Sequence, residues 1–362
     1  MRFSFAPFCR LRRHGRSVYR TCGADIDTGP EKSRAQPGEI MKRSGTVTKT
    51  LLLVLTAFIW GFTFSFQSMA TKYVGTYTYL ASRSWIAVLF LVPVVRISDR
   101  AAKKQTGRSK APETARERKR LWLAGAACGG VLCMASAFQQ AGIAMTTTAK
   151  ASFITALYVI LVPVISLLLG KKTDRKIWLC VAMAVCGLYF LCFKRGGLSG
   201  FGPGDILMLF AAAGFALQIL VVDRFVTSMD PIRLSQMQVG FQGLFSTILM
   251  LIFEHPTAGG LARAAVSILF AGVLSSGVAY TLQIVGQKGL NPTIASIAMC
   301  LESVFGAVGG WLLLGEKLSV REMSGCALMF AAIVLASVPS KFSLNCKNRG
   351  VSITTCQDAK DA

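Results

Sequence analysis

Glu302 is the first residue that could do chemistry. It stands near the middle of Thr293–Lys317, TIASIAMCLESVFGAVGGWLLLGEK, a stretch otherwise apolar enough to cross a bilayer. A carboxylate at that depth costs roughly 2.5–3.5 kcal/mol on insertion scales. Such a side chain exchanges protons, binds a solute, or is held by a hydrogen bond or ion pair to a neighbouring helix. Arg83 is the second charge inside an apolar stretch, about seven residues or roughly 10 Å from the nearer end of its helix. It can dock an anionic group such as a carboxylate, reach across to Glu302, pack in the bundle, or snorkel to the interface. Trp60, Tyr158, Tyr280 and Gln283 are weaker candidates for the wall of a solute site. Gly61, directly after Trp60, lets another backbone come near. Gln139, Gln140 and Gln218 can each donate and accept, so they bind solute or join helices. Gly306 and Gly310 form a G-x-x-x-G that suits close helix packing. Pro163 removes a helix hydrogen bond and makes either a hinge or a static bend.

No catalytic constellation accompanies these residues. There is no G-x-x-x-x-G-K-[ST], H-E-x-x-H or G-x-S-x-G. Only His14 and His255 exist, both outside the apolar stretches, and the eleven cysteines contain no C-x-x-C. Seven of those cysteines lie in apolar segments, where they read as small packing residues. Neither a metal nor a cofactor is expected.

The elements that must position the candidates are membrane helices. The chain is 53% hydrophobic and 16% charged, against about 45–50% and 25% for soluble domains. Its net charge of +23 would suggest nucleic acid in a soluble protein. Here the basic residues cluster in particular loops, so topology explains them and no nucleic-acid partner is expected. Ten apolar segments follow one another at 49–70, 76–96, 121–140, 148–169, 176–194, 204–223, 233–253, 262–284, 292–314 and 320–339. About 20 apolar residues suffice to span the hydrocarbon core. Residues 1–47 form a basic tail, 97–120 a dense basic connection, and 340–362 a polar tail. Met41-Lys42-Arg43 resembles a start, so residues 1–40 read as a wrongly assigned extension or a disordered tail.

With the N-terminus inside, the cytoplasmic parts hold 32 Lys/Arg and the outer loops 7. By the positive-inside rule both termini are then cytoplasmic. Thr148–Lys172, TAKASFITALYVILVPVISLLLGKK, also repeats the pattern of Thr293–Lys317, including Leu167–Gly170 against Leu312–Gly315. The chain thus divides into a five-helix unit at 48–194 and another at 204–339. An odd-numbered unit repeated in tandem runs in opposite senses across the membrane, so the fold class is all-α, with ten transmembrane helices in two inverted repeats.

Trp60-Gly61, Arg83, the Thr147–Gly170 segment and Leu301-Glu302 through Gly315-Glu316 carry a resemblance to the drug/metabolite transporter superfamily. The resemblance is to its EamA-like ten-helix members and covers about Thr50–Pro339. Two positions depart from the family pattern: Lys171 stands where Glu316 has its counterpart, and Ser303 where proline is frequent. The resemblance implies a non-enzymatic secondary transporter of small metabolites in the plasma or inner membrane, often an exporter, and does not name the solute. The expected partners are a small polar or amphipathic solute moved by alternating access, the lipid bilayer and, as one option, coupled protons. A non-transporting receptor or scaffold, with the basic 97–120 connection as its docking site, is the alternative. A membrane-embedded lipid-acting enzyme fits less well. Coupling ion, direction and oligomeric state are not written in these residues.

Overall fold

The computed structural model describes residues 37–107, 109–146, 148–170, 175–192, 202–314 and 320–337. The architecture below is that of the unit Lys42–Ala362. Among the described residues every regular element is helical: α1 (Pro37–Ala70), α2 (Thr76–Thr106), α3 (Ala115–Ile143), α4 (Thr148–Ala156), α5 (Tyr158–Leu168), α6 (Arg175–Cys192), α7 (Pro203–Val226), α8 (Pro231–Phe253), α9 (Ala258–Phe270), a wide π turn (Ala271–Ala279), α10 (Tyr280–Gln287), α11 (Pro292–Met299), α12 (Glu302–Leu314) and α13 (Val320–Ser337).

Eight spans are long and apolar enough to cross a membrane. Five are continuous helices: Thr46–Ala70 within α1, then α2, α3, α7 and α8. The other three are interrupted: Ala151–Leu168, Ala258–Gln287 and Pro292–Gly309. The expectation of ten is thus met by eight among the described residues. The two remaining apolar helices, α6 and α13, pack along each other. A Cβ on Gly187 of α6 would stand 2.8 Å from the Gly325 carbonyl of α13.

The helix ends follow from local sequence. Asp230 accepts from the Arg233 amide at 3.1 Å and Asn291 from the Thr293 amide at 2.8 Å. Prolines 203, 231 and 292 stand in first turns, where a missing N–H costs nothing. Thr114 and Glu117 close a capping box ahead of α3. Gly107 ends α2 with φ of 73°, a left-handed conformation suited to glycine.

Those last two caps correct one expectation. The 97–120 connection is mostly helix, because α2 continues to Thr106 and α3 begins at Ala115. Lys and Arg are good helix formers, so the two helices run on past their apolar spans. Likewise α1 begins at Pro37, inside the segment read as tail. Residues 1–36, 338–362 and Glu316 lie outside the described residues, as do the surroundings of Gly310.

Helix-end contacts define two faces. On the basic face, Arg233 at the start of α8 pairs with Asp99 near the end of α2. Lys110 reaches Asp230 at 3.3 Å, and the Lys288 ammonium donates to the Met229 carbonyl at 3.1 Å. On the opposite face, Glu254 at the end of α8 accepts from the Tyr77 amide (2.9 Å), the Thr78 amide (2.8 Å) and the Thr78 hydroxyl (2.7 Å) at the start of α2. Also there, Thr146 donates to Asp205 at the start of α7 at 2.6 Å. The outer surface presents apolar side chains such as Leu51, Leu89, Leu251 and Val266, as a lipid-facing surface requires. The interior holds a core that includes Leu53, Val159, Ile219, Met299 and Leu301.

Candidate functional site

Three spans are interrupted, and each interruption has a local cause. Between α4 and α5 the break falls at Leu157, upstream of Pro163. Proline lacks the N–H that would bond the carbonyl four residues back, at Val159, and its ring crowds that carbonyl. The break itself lies at Leu157, whose amide bonds the Ile154 carbonyl at 3.2 Å, one to two turns before the proline expected to carry a bend. Between α11 and α12 no proline intervenes. There Cys300 Sγ donates to the Ile297 carbonyl at 3.0 Å and Ser303 Oγ to the Cys300 carbonyl at 2.8 Å. Side chains that bond back onto the preceding turn compete with the helix ladder and bend it. Between α9 and α10 the π turn ends with the Tyr280 amide bonded to Ser275 O, five residues back. Such an extra residue per turn rotates everything after it.

The elements so bent surround one narrow buried cavity of about 30 Å³, little more than the roughly 10–15 Å³ that a single water needs. Trp60, Arg83, Tyr158, Tyr280, Gln283 and Glu302 all line it. The sequence singled out these six, which lie on five separate helices, and the structure brings them together. Trp60 is positioned by the approach expected beside it: a Cβ on Gly61 would lie 2.5 Å from Phe305 Cβ and 2.7 Å from the Gly306 nitrogen. Gly306 in turn faces Ser152 of α4. Its indole ring tilts against Tyr280 with centroids 5.0 Å apart.

Arg83 is fully buried and does not pair with Glu302 or with any other described carboxylate. Its Nη2 donates to Ser136 Oγ at 3.3 Å, and the guanidinium carbon lies 5.7 Å from the Tyr79 ring centroid. Ser136 also accepts from Gln242 Nε2 at 3.1 Å. Its neighbours hold the cation in place without neutralising it. Glu302 is the first residue of α12, so its carboxylate stands at the positive end of a helix dipole. Its Oε1 has no hydrogen-bond partner, nor do Arg83 Nε, Trp60 Nε1 and the Tyr158 hydroxyl. Buried polar atoms are nearly always paired; four unpaired ones on one wall mark a surface suited to a ligand. It offers a cation and indole N–H for an anionic or accepting group, and a carboxylate for a donating one.

The sequence reading missed several wall residues. Gln67 and Thr155 line the cavity, with Phe64 and Phe215 supplying apolar wall. Gln67 carried the same signal as Gln139, an amide inside an apolar segment. Ser136, Gln242 and Tyr79, which hold Arg83, carried none, because small polar and aromatic residues are common in bundles. Among the described residues no three metal-ligating side chains cluster.

Comparison with known proteins agrees with this architecture. The EamA-like transporter family model matches residues 48–193 and again 202–338. An uncharacterized transporter of Archaeoglobus fulgidus is 28% identical over 287 residues, covering 79% of this chain and 84% of that one. A solved crystal structure, 17% identical, superposes with a TM-score of 0.62 over 80% of this chain and 96% of its own, a likeness of fold alone. With both halves of its length matched, this multi-pass membrane protein belongs to the EamA-like transporter family.

Proposed function

We propose that the protein is a secondary active transporter that moves a small polar or amphipathic metabolite through the Arg83–Glu302 cavity by alternating access. The observation that carries this reading is the placing of a basic and an acidic side chain, Arg83 and Glu302, in one buried cavity without an ion pair between them. An intramembrane ionisable residue is functional by default. Arg83 docks an anionic group of the solute. Glu302 binds a donating group or a proton, which couples solute movement to the proton gradient. The basic face is cytoplasmic by the positive-inside rule, which puts both termini in the cytoplasm of a cell bounded by a plasma or inner membrane.

Alternating access in this class rests on two inverted halves. We read α6 and α13 as the fifth and tenth spans. Three matched features support two halves related by a pseudo-two-fold axis. The break at Leu157 has its counterpart at Cys300-Leu301. The hydrogen-bonded amides Gln67 and Gln139 have theirs in Gln218 and Gln283. Gly142 lets α3 approach the Gly204 carbonyl of α7, where a Cβ would be 2.9 Å away, and Gly286 lets α10 approach the Lys49 carbonyl of α1, where it would be 3.1 Å away. The two separate ranges matched by the family model fit the same division.

The test starts from ligand binding. Purified protein is screened by thermal shift against amino acids, nucleosides, sugars and amphipathic cations at pH 5.5 and pH 8. A ligand bound only by the folded state raises apparent stability by mass action. A hit is expected that disappears in Arg83→Ala or Glu302→Gln and that crosses proteoliposome membranes with the wild-type protein alone. Full flux through Glu302→Gln would remove that carboxylate from the mechanism.

A further inference from the structure

Buried glutamines continue beyond the cavity wall in both directions. Towards the opposite face stand Gln67, near the end of α1, and Gln139 and Gln140, near the end of α3. Their bonds are long: Gln67 Nε2 to Gln139 Oε1 at 3.4 Å, Gln139 Nε2 to Thr155 Oγ1 at 3.5 Å, and Gln140 Nε2 to the Gln67 carbonyl at 3.5 Å. Towards the basic face, Gln218 and Gln283 exchange amide bonds of 3.4 and 3.0 Å, and Gln218 Nε2 also donates to Gln238 Oε1 at 3.1 Å. Gln287 follows one turn after Gln283, as the last residue of α10.

Four of these amides line the cavity: Gln67, Gln139, Gln218 and Gln283. The other three, Gln140, Gln238 and Gln287, lie outside it, and each is at most 1% exposed. Those three hold unpaired atoms: Gln140 Oε1, Gln238 Nε2, and both amide atoms of Gln287. Unpaired buried amides are costly in any protein interior, and a bilayer offers no water to relieve them. Side-chain packing alone does not explain three of them on the two sides of one cavity.

We propose that the two amide clusters are polar subsites through which the cavity opens to the two membrane faces, and that they accept neutral hydrogen-bonding groups of the passing solute, hydroxyls or amides. This rests on the transport reading above. A glutamine amide both donates and accepts. Each amide pair can therefore exchange its mutual bonds for bonds to solute without leaving a group unpaired. The shorter bonds close the route towards the basic face, and the longer ones leave it looser towards the opposite face.

The labelling needs no knowledge of the solute; flux is measured with the ligand found by the thermal-shift screen. Gln140→Cys, Gln238→Cys and Gln287→Cys are made in the full chain, with Val239→Cys and Ile284→Cys as fully buried neighbours for comparison. Sealed vesicles of each orientation are treated with a membrane-impermeant trimethylammonium methanethiosulfonate, and modified sites are mapped by peptide mass spectrometry, which separates them from the native cysteines. The expected result is modification at least tenfold faster than at the two neighbours. It should come from the opposite face for Gln140→Cys and from the basic face for Gln238→Cys and Gln287→Cys. Rates no faster than at Val239→Cys and Ile284→Cys would overturn the proposal, as would modification of all three from one face only. A second measurement uses Gln287→Leu, which should slow flux while leaving the thermal midpoint unchanged; a lower midpoint with normal flux assigns Gln287 to packing and overturns its part. The expected labelling without any solute flux would sink the transport reading and leave the polar route standing. Flux without labelling would sink the route alone.

Discussion

Adding one methyl group at Gly61 tests whether α1 and α12 cross as closely as the site requires. The new Cβ would lie 2.5 Å from Phe305 Cβ and 2.7 Å from both the Phe305 carbonyl carbon and the Gly306 nitrogen. Carbon atoms prefer separations of about 3.5–4.0 Å, so the helices must part by on the order of 1 Å. Two of the obstacles are backbone atoms, which cannot turn aside. Overpacking of this kind costs about 1–3 kcal/mol. Replacing glycine by alanine within a helix returns about 0.5–1 kcal/mol through lost chain freedom. The net destabilisation is about 0–2.5 kcal/mol. Gly130→Ala is the control, since a Cβ there would meet only the Phe245 ring, at an ordinary 3.5 Å. That variant keeps the helix gain and should be unchanged or slightly more stable. Both variants are unfolded thermally in one detergent and followed by tryptophan fluorescence. At roughly 2 °C per kcal/mol for a chain of this size, the Gly61→Ala midpoint should fall several degrees below that of Gly130→Ala. Equal midpoints, or a higher one for Gly61→Ala, would refute the packing argument. Gly61 adjoins Trp60, and Gly306 lies one turn after Glu302, so flux should fall in Gly61→Ala and persist in Gly130→Ala.

Two further substitutions probe the frame around the cavity. Glu254→Ala removes a carboxylate that receives three donors at the start of α2; by analogy with lost helix caps it should cost about 1–2 kcal/mol, and an unchanged thermal midpoint would show that water replaces the cap. Gly272→Val places a Cβ 2.6 Å from Ile86 Cγ2 and 3.1 Å from the Arg83 carbonyl; it should push α2 outward and weaken solute binding more than it lowers stability, and unaltered affinity in a thermal-shift titration would contradict that.

Much of this arrangement was legible in the sequence because the membrane makes polarity informative. A lone Glu302 or Arg83 among apolar residues is conspicuous, and the short connections leave few arrangements of the helices. Gly61 was legible for a related reason: a glycine beside a large aromatic suggests a crossing, and Phe305 of α12 is what crosses there. What the sequence hid was pairing. Depth along the helices allowed an Arg83–Glu302 ion pair, but depth says nothing of direction around the helix axis, and Arg83 turns instead to Ser136 and Tyr79. The length of α2 was hidden too, since the apolar pattern ends before the helix does. Lys103 and Lys104 remain helical although they leave the apolar span.

The interruptions explain why the site lies where it does. In a bilayer, non-helical backbone is tolerated only where protein or a polar cavity satisfies the freed groups. Each of the three interruptions is followed at once by a residue of the cavity wall: Tyr158 opens α5, Tyr280 opens α10 and Glu302 opens α12. The causes differ: a proline, a π turn and two back-bonding side chains. A common outcome from three unrelated devices is better explained by a requirement of the site than by a preference of the sequence. The extra residue of the π turn points Tyr280 about 100° away from where a regular helix would place it. An unbroken α11–α12 would leave Glu302 in mid-helix, without the free N–H groups that favour a carboxylate at a helix start. Converting Ser303 and Cys300 to alanine removes the back-bonds of α11–α12 while adding no bulk, and so tests the link directly. If the break positions Glu302, the double variant should remain as stable as the parent, or more so, and lose ligand binding. If binding survives, surrounding helices hold the bend, and the hydroxyl and thiol are passengers.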